Sequence, residues 1–393
     1  MRVRNPVHLV IALVAVVNAL GYGIIIPVMY IYTRRFGLTD FQIGMLFATY
    51  SVFQFLATPL IGRLSDRYGR KPLLVISITG TAVSFLMMAL AHNALLLFLS
   101  RALDGVTAGN IPVASAVISD TTSLKDRARG FGIIGAAFGF GFVFGPAISA
   151  ASVGFGLAIP FFIAAAVSAA AALITFVILP ETNTHTGEAA AGKLIDIGRL
   201  VRSVLDPQIG VTLLLSLIYS VAFTLYTYVY QPYAVKVISM TPAQISLNFT
   251  VFGIVGLVTQ LLIIPAVSRR LGERRALTGA LTVAVTTFLW LSVTRSFGLF
   301  VLASVFQALA NGFVNPLVQA ILSREADAKS QGSVLGLNAS YISIGMIIGP
   351  VLGGLVAMYG LPLPFLAGSI MVGICAFLSL RIPQSIRIRQ SAF

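Results

Sequence analysis

Charge is what this chain has least of. Only 10% of its 393 residues are Asp, Glu, Lys or Arg, against ~25% in soluble domains. Hydrophobic residues reach 58% with glycine left out of the count, more than one soluble core can bury, so a soluble globular protein is excluded. Cysteine is almost absent. The single Cys375 lies inside an apolar run, which rules out an intrachain disulfide and any cysteine metal site. The three histidines, His8, His92 and His185, are far apart in sequence, so no histidine metal site and no cofactor are expected. No Ser/His/acid or paired-acid constellation falls within the apolar runs, and an enzyme is not expected either.

What the chain has instead is length without charge. Stretches such as Leu73–Ala91 and Ile159–Leu179 carry no charged residue, and about 20 apolar residues cross a bilayer core as a helix. Twelve such segments are expected: 7–31, 41–61, 73–91, 95–118, 131–153, 157–179, 208–235, 244–266, 276–294, 298–322, 333–356 and 362–380. The first opens with MRVRNPVHL but has a long apolar run and no small-residue cleavage site, so it is read as a span and not a signal peptide. Basic residues set the orientation. With both termini on one side, 21 of them share that side, and only Arg34, Arg35, Lys236 and Arg295 face the other. Both termini are therefore expected in the cytoplasm. The net charge of +14 reflects this bias and contact with anionic lipids, not nucleic-acid binding.

The chain is also written twice. LTDFQIGMLF at 38–47 is echoed by MTPAQISLNF at 240–249, SDRYGRK at 65–71 by SRRLGER at 268–274, and IPFF at 159–162 by LPFL at 363–366. Pro112 and Ser119 match Pro316 and Ser323, and Gly141, Gly145 and Pro146 match Gly345, Gly349 and Pro350. Six spans are thus duplicated as a block. The expected architecture is an all-α membrane protein of twelve transmembrane helices in two pseudo-symmetric six-helix bundles. Residues 1–180 and 208–393 form the bundles, and a cytoplasmic linker occupies 181–207. Within the linker, KLIDIGRLVRSVL has helical periodicity and basic residues, the pattern of a helix lying on the membrane surface. Asn, Gln and charged residues are missing from the interiors of spans 3, 6, 9 and 12 and occur in spans 1, 2, 4, 7, 8, 10 and 11. Every third helix then faces lipid while the rest surround a polar path, as in carriers built from repeated bundles.

One polar segment stands out between two greasy ones, GRLSDRYGRK at 62–71. Through Gly62, Asp66, Arg67, Gly69, Arg70 and Lys71 it resembles the signature loop of the major facilitator superfamily. ISDTTSLKDRARGFG (118–132) and GFGFVFGP (139–146) resemble the drug:proton antiporter branch, specifically tetracycline-efflux-like proteins. The resemblance implies the major facilitator fold. It also implies a cytoplasmic latch in which Asp66 docks at the N-terminus of span 11 and the arginines pair with acids such as Asp120 at the end of span 4. The plainer reading is that these basic residues anchor topology. Arg269 replaces Asp66 in the second copy, so one latch is expected. Gly135, Gly139, Gly141 and Gly145, followed by Pro146, have the spacing that lets helices approach closely. The resemblance reads them as the span-5 antiporter motif, and helix packing alone is the alternative. The glycine pair that often follows is absent here, where Ile148-Ser149 stands; Gly353-Gly354 supplies it in span 11.

Arg101 and Asp104, in RALDG, sit three residues apart and can pair on one helical turn. An ion pair at membrane depth costs desolvation, so a role in function is the default reading. The resemblance places Arg101 where the family has an arginine tied to proton movement, which leaves Asp104 as the candidate proton carrier. A static pair holding span 4 to a neighbour is the alternative. For substrate, a cavity is expected from Asn18, Gln54, Tyr226, Tyr230, Gln231, Gln260, Gln307, Asn311, Asn315, Gln319, Asn338 and Tyr341, since amides with aromatics suit a partly apolar, hydrogen-bonding solute. The competing readings are core packing for the span-7 face of Tyr219, Phe223, Tyr226, Tyr230 and Tyr233, and interhelical hydrogen bonding for the span-10 amides. Tetracycline exporters carry acids in helices 1, 3 and 9 and a histidine in helix 8. The aligned positions here are Asn18, Ser84, Ala284 and Gly256, so the same exchange chemistry is not expected.

The leading expectation is a secondary transporter that exports small amphiphilic compounds in exchange for protons, by alternating access. The alternatives are a facilitator or flippase for a neutral or lipid-like solute, and, from another class, a membrane receptor or assembly factor on a carrier fold. The expected partners are a small-molecule substrate, protons and membrane lipids but no nucleic acid. The expected setting is a monomer in the bacterial inner membrane.

Overall fold

The computed structural model describes residues 6–122, 127–183, 197–326 and 330–382, and among these every regular element is a helix. They are α1 (Pro6–Arg34), α2 (Asp40–Tyr68), α3 (Arg70–Ala89), α4 (Ala94–Thr107), α5 (Asn110–Thr121), α6 (Arg127–Ser152), α7 (Ile159–Ile178) and α8 (Ile197–Val204). There follow α9 (Gly210–Lys236), α10 (Pro242–Val258), α11 (Ile264–Leu271), α12 (Glu273–Val293), α13 (Phe297–Glu325), α14 (Gln331–Ala357) and α15 (Leu363–Ser379). Among the described residues, eleven helical stretches are long and apolar enough to cross a membrane, and α15 is a shorter apolar helix of 17 residues, about 25 Å long at 1.5 Å per residue. These correspond to the twelve expected segments.

Proline accounts for two interruptions. Pro112 lacks an N–H and crowds the carbonyl one turn earlier, and the fourth span breaks there into α4 and α5. In the eighth span Pro265 lies just beyond a π-turn, Thr259–Ile263, that joins α10 to α11, a usual way for a helix to absorb a missing donor. Pro316 leaves α13 continuous.

The signature segment is not a loop. Residues 62–68 finish α2, Arg70 starts α3, and the one residue between them is Gly69 at φ +103°. Gly272, at φ +80°, does the same between α11 and α12. Only glycine occupies such a backbone region cheaply. The duplication is visible in hydrogen bonds as well. The Thr39 backbone N–H donates to Gln42 Oε1 at 2.8 Å and the Gln42 N–H to Thr39 Oγ1 at 3.3 Å; Thr241 and Gln244 repeat both bonds at 2.8 and 3.3 Å. Each is a capping box that fixes where a helix begins.

The chain divides into two compact units, residues 1–195 with 239–253, and residues 196–238 with 254–393. This differs from the expected division in two places: α8 of the linker belongs to the second unit, and most of α10 to the first. In the first unit α1 lies along α6, α2 along α4, and α3 against α4 and α7. Gly141 and Gly145 make the α1–α6 contact possible: a Cβ on Gly145 would lie 2.8 Å from the Gly23 Cα, and one on Gly141 would strike Ala19. Gly139 is half-buried. Gly135 has open space beside it, so it is no part of this contact. In the second unit α9 lies along α14, where Gly345 and Gly349 leave room for Ser220 and Thr224, and α12 packs on α13 and α15.

Candidate functional site

In the first unit a buried apolar cluster includes Ile11 and Val14 of α1, Ile78 of α3, Val117 of α5 and Ala171 of α7. One turn further along α1 the lining changes character. Asn18 and Tyr22 of α1, Phe47 and Tyr50 of α2, Thr81 and Phe85 of α3, and Arg101 and Asp104 of α4 enclose a small cavity with room for a water molecule. Arg101 Nη1 donates to Asp104 Oδ2 at 2.6 Å. The two residues are 4% and 6% exposed, so the i,i+3 pair expected from spacing forms inside the bundle. The Arg101 guanidinium also lies over the Tyr50 ring, 4.3 Å from its centroid. Asn18 turns its amide N–H back to the Val14 carbonyl at 2.7 Å, and Gln54 Nε2 donates to the Tyr50 hydroxyl at 3.1 Å.

The second-unit candidates divide differently. Tyr226 and Tyr230, expected on a cavity wall, are 1% and 2% exposed. Their rings pack on Phe288 and Phe365, and on Phe300, respectively. They are core residues, as the packing alternative has it, because α9 lies in the middle of its unit and buries nearly all of its surface. Tyr341 is corrected too. Its hydroxyl donates to the Leu200 carbonyl at 2.5 Å and lies 3.0 Å from Ser203 Oγ, so it holds α8 against α14, and α8 is docked on protein. On α13, Gln307 accepts from Thr287 at 2.5 Å and Asn311 from Tyr219 at 3.0 Å; both are interhelical bonds. Asn315 and Gln319, further along the stripe, are exposed, as is Gln260 in the π-turn. Gln231 and Asn338 are buried, Asn338 with an amide oxygen that has no partner.

At the end of the first unit Arg70 forms the hub of the signature. Its Nη1 meets Asp66 Oδ1 at 2.5 Å and Ser65 Oγ at 2.7 Å, while Nε reaches Asp120 at 3.2 Å. Gly62 is half-buried, and Arg67 is exposed over the Tyr68 ring. The sequence reading missed Glu181. Its carboxylate accepts from the backbone N–H groups of Arg70 at 2.8 Å and Lys71 at 3.2 Å, capping the start of α3. A Cβ on Gly69 would collide with it. Partial burial pushes this carboxyl up, but the N–H groups of Asn183, Arg70, Lys71 and Thr182 outweigh that and hold it below its ordinary value. Asn183 Nδ2 meanwhile donates to the Asp66 carbonyl at 2.7 Å. The available signal was position: Glu181 is the first charge after the sixth span. The second unit has an ion pair of its own, Glu273–Arg324 at 2.8 Å. Glu273 stands where the repeat has Arg70, and Arg324 where it has Asp120, so the signs are reversed. Among the described residues no cluster could hold a metal ion.

The profile of the Major Facilitator Superfamily matches residues 11–233 and again 212–392. The chain belongs to that superfamily. Multidrug resistance protein 2 of Bacillus subtilis is 32% identical over 369 residues, 90% of this chain and 89% of that protein. Tetracycline resistance protein, class G, of Vibrio anguillarum is 32% identical over 361 residues, covering 89% and 90%. In fold, the carrier matches a bacterial homologue of the human lysosomal transporter Spinster with a TM-score of 0.79 at 15% identity, over 96% of both chains. The human organic anion transporter MFSD10 matches with a TM-score of 0.68 at 22% identity, over 95% and 99%. Membership makes this chain an integral membrane transporter and not an enzyme.

Two positions singled out as departures from the tetracycline exporters turn out to flank the pair. Asn18 lines the Asp104 cavity, and Ser84, buried on α3 near the Asp104 carboxyl, donates its hydroxyl to the Thr81 carbonyl at 2.8 Å. In this carrier the acid of the cavity stands on α4. Tyr22, Tyr50 and Ser84 belong to the site and were missed, since sequence spacing reports neighbours on one helix and not across three.

Proposed function

We propose that the carrier exports small amphiphilic organic compounds in exchange for protons by alternating access, with Asp104 as the proton carrier and Arg101 as its counter-charge. The observation that supports this most is the buried Arg101–Asp104 pair beside a polar cavity, in a chain 32% identical to multidrug and tetracycline resistance proteins. A carboxylate that exchanges a proton needs a partner that stabilises its ionised form and room for a water molecule, and Arg101 and the cavity supply these. Asn18, Gln54, Asn315, Gln319 and Gln260, which are exposed or half-buried, are the amides available to solute; Gln231, Gln307, Asn311 and Asn338 support the bundle around them. Asp66, Arg70 and Asp120 with Gly62, Arg67 and Gly69 form the cytoplasmic latch, tied through Glu181 to the start of the linker. The carrier works as a monomer in the inner membrane with both termini in the cytoplasm, in contact with lipids and without nucleic acid.

The test is flux in proteoliposomes under an imposed pH gradient, with a panel of lipophilic cations, neutral drugs and sugars. Asp104→Asn should lose gradient-driven flux at least tenfold while still binding compound. A second reading, facilitated movement of a neutral solute, draws on the absence of any other acid from this cavity. It would replace the first if wild type and Asp104→Asn moved solute equally with and without the gradient.

A further inference from the structure

Tyr50 has a place in the site that charge alone does not explain. Its ring faces the Arg101 guanidinium at 4.3 Å, and Gln54 holds the phenol end at 3.1 Å. The backbone is shaped for this contact. Gly105 follows Asp104 directly, and a Cβ there would strike the Tyr50 carbonyl and lie 2.8 Å from the Phe53 Cβ. Glycine therefore lets α2 touch α4 at the level of the pair. Arg101 meets Asp104 through Nη1, and its Nε has no hydrogen-bond partner.

Proton exchange changes what Arg101 can lean on. With Asp104 ionised, the guanidinium has a carboxylate. With Asp104 protonated, it is a buried cation without its counter-ion, a state that desolvation makes costly. The ring's negative face is then the remaining favourable contact. We propose that Tyr50 is a positioning residue for proton exchange at Asp104, holding Arg101 in place during the interval when the protonated carboxyl no longer pairs with it. This rests on the proton-coupled reading above. The polar groups around Asp104 are Asn18 and Tyr22 from α1, Tyr50 from α2 with Gln54 on its hydroxyl, Thr81 and Ser84 from α3, and Arg101 on its own helix. Arg101 is the charged group among them.

The ring stabilises Arg101 most when the carboxyl is protonated. Weakening the ring therefore favours the ionised pair, and the pH midpoint of coupled flux moves down. A cation–π contact of ordinary strength corresponds to a shift of about one pH unit. The measurement is the pH profile of gradient-driven flux for Tyr50→Phe, Tyr50→Leu and a series with mono-, di- and trifluorophenylalanine at position 50. Tyr50→Phe should keep the wild-type midpoint, Tyr50→Leu should lower it by about one unit, and each fluorine should lower it further in steps. The fluorinated rings keep the shape of phenylalanine, so they carry the test even if Tyr50→Leu fails to fold. Midpoints that stay level from phenylalanine to trifluorophenylalanine would overturn the role of Tyr50, provided Asp104→Asn has abolished the pH dependence. If Asp104→Asn keeps the wild-type profile, the proton-coupled reading fails, and the role given to Tyr50 falls with it.

Discussion

Two hydrophobic residues would hold α4 to its neighbours with less desolvation than Arg101 and Asp104 do. That imbalance predicts how the pair responds to truncation. Arg101→Ala leaves a carboxylate buried without its counter-ion and should cost about 3–5 kcal/mol, read as a lower melting temperature in detergent. Removing both charges, as Arg101→Ala with Asp104→Ala, should recover most of that stability while transport stays lost. A double variant as unstable as the single one would mean that the pair is a structural clamp. The pair itself was legible in the sequence because i and i+3 must meet on a helix. Its surroundings were not. An amide or a tyrosine in a span announces that it avoids lipid, but not whether it faces a cavity or another helix. Hence Tyr226 could be placed on a wall when it belongs to the core, and Tyr50 passed unnoticed.

Helix ends and helix contacts show the duplication most clearly, and also where the two copies part. Glu273 sits in the first turn of α12 and Arg324 in the last turn of α13, each with the sign that suits its helix dipole. Arg70 at the start of α3 and Asp120 near the end of α5 have the opposite signs. Glu181 supplies the missing negative charge at α3. Its carboxyl is held below the ordinary value of 4.5. A depressed folded-state value means that this cap stabilises the protein above about pH 4.5 and is lost as pH falls through the lower folded value. Glu181→Gln should therefore loosen the start of α3 at neutral pH, seen as faster hydrogen exchange at Arg70 and Lys71, and should differ less from wild type once the pH is low enough to protonate Glu181. Unchanged exchange at neutral pH would show that the cap is dispensable. For the α1–α6 contact, Gly145→Leu should abolish folded protein in a detergent extract, whereas Gly135→Ala, with open space beside it, should behave as wild type. Equal yields from both would contradict the close approach. The capping boxes at Thr39 and Thr241 were readable as sequence echoes. The single-glycine joints at Gly69 and Gly272 were hidden, because a charged segment between spans looks the same whether it is a loop or two helix ends.

At the scale of the whole molecule, apolar runs of span length and an internal repeat made the class legible, and the distribution of basic residues favours both termini on the cytoplasmic side. That charge bias makes a direct prediction. In a Cys375→Ala background, a cysteine replacing Arg295 should react with an impermeant thiol reagent in intact cells, and one replacing Arg67 only after permeabilisation; the reverse pattern would invert the topology. Cys375 is buried, so its replacement removes little reactivity. The division into units was harder to foresee, because the assignment of α8 and of residues 239–253 depends on contacts between segments distant in sequence.

In the proposed mechanism Asp104 trades its proton for substrate. The most direct test is proton release from purified carrier in weakly buffered detergent solution when a transported compound is added. Wild type should release protons on binding and Asp104→Asn should release none while still binding the compound. Equal proton release from both proteins, or none from wild type at any pH despite saturating binding, would contradict the claim.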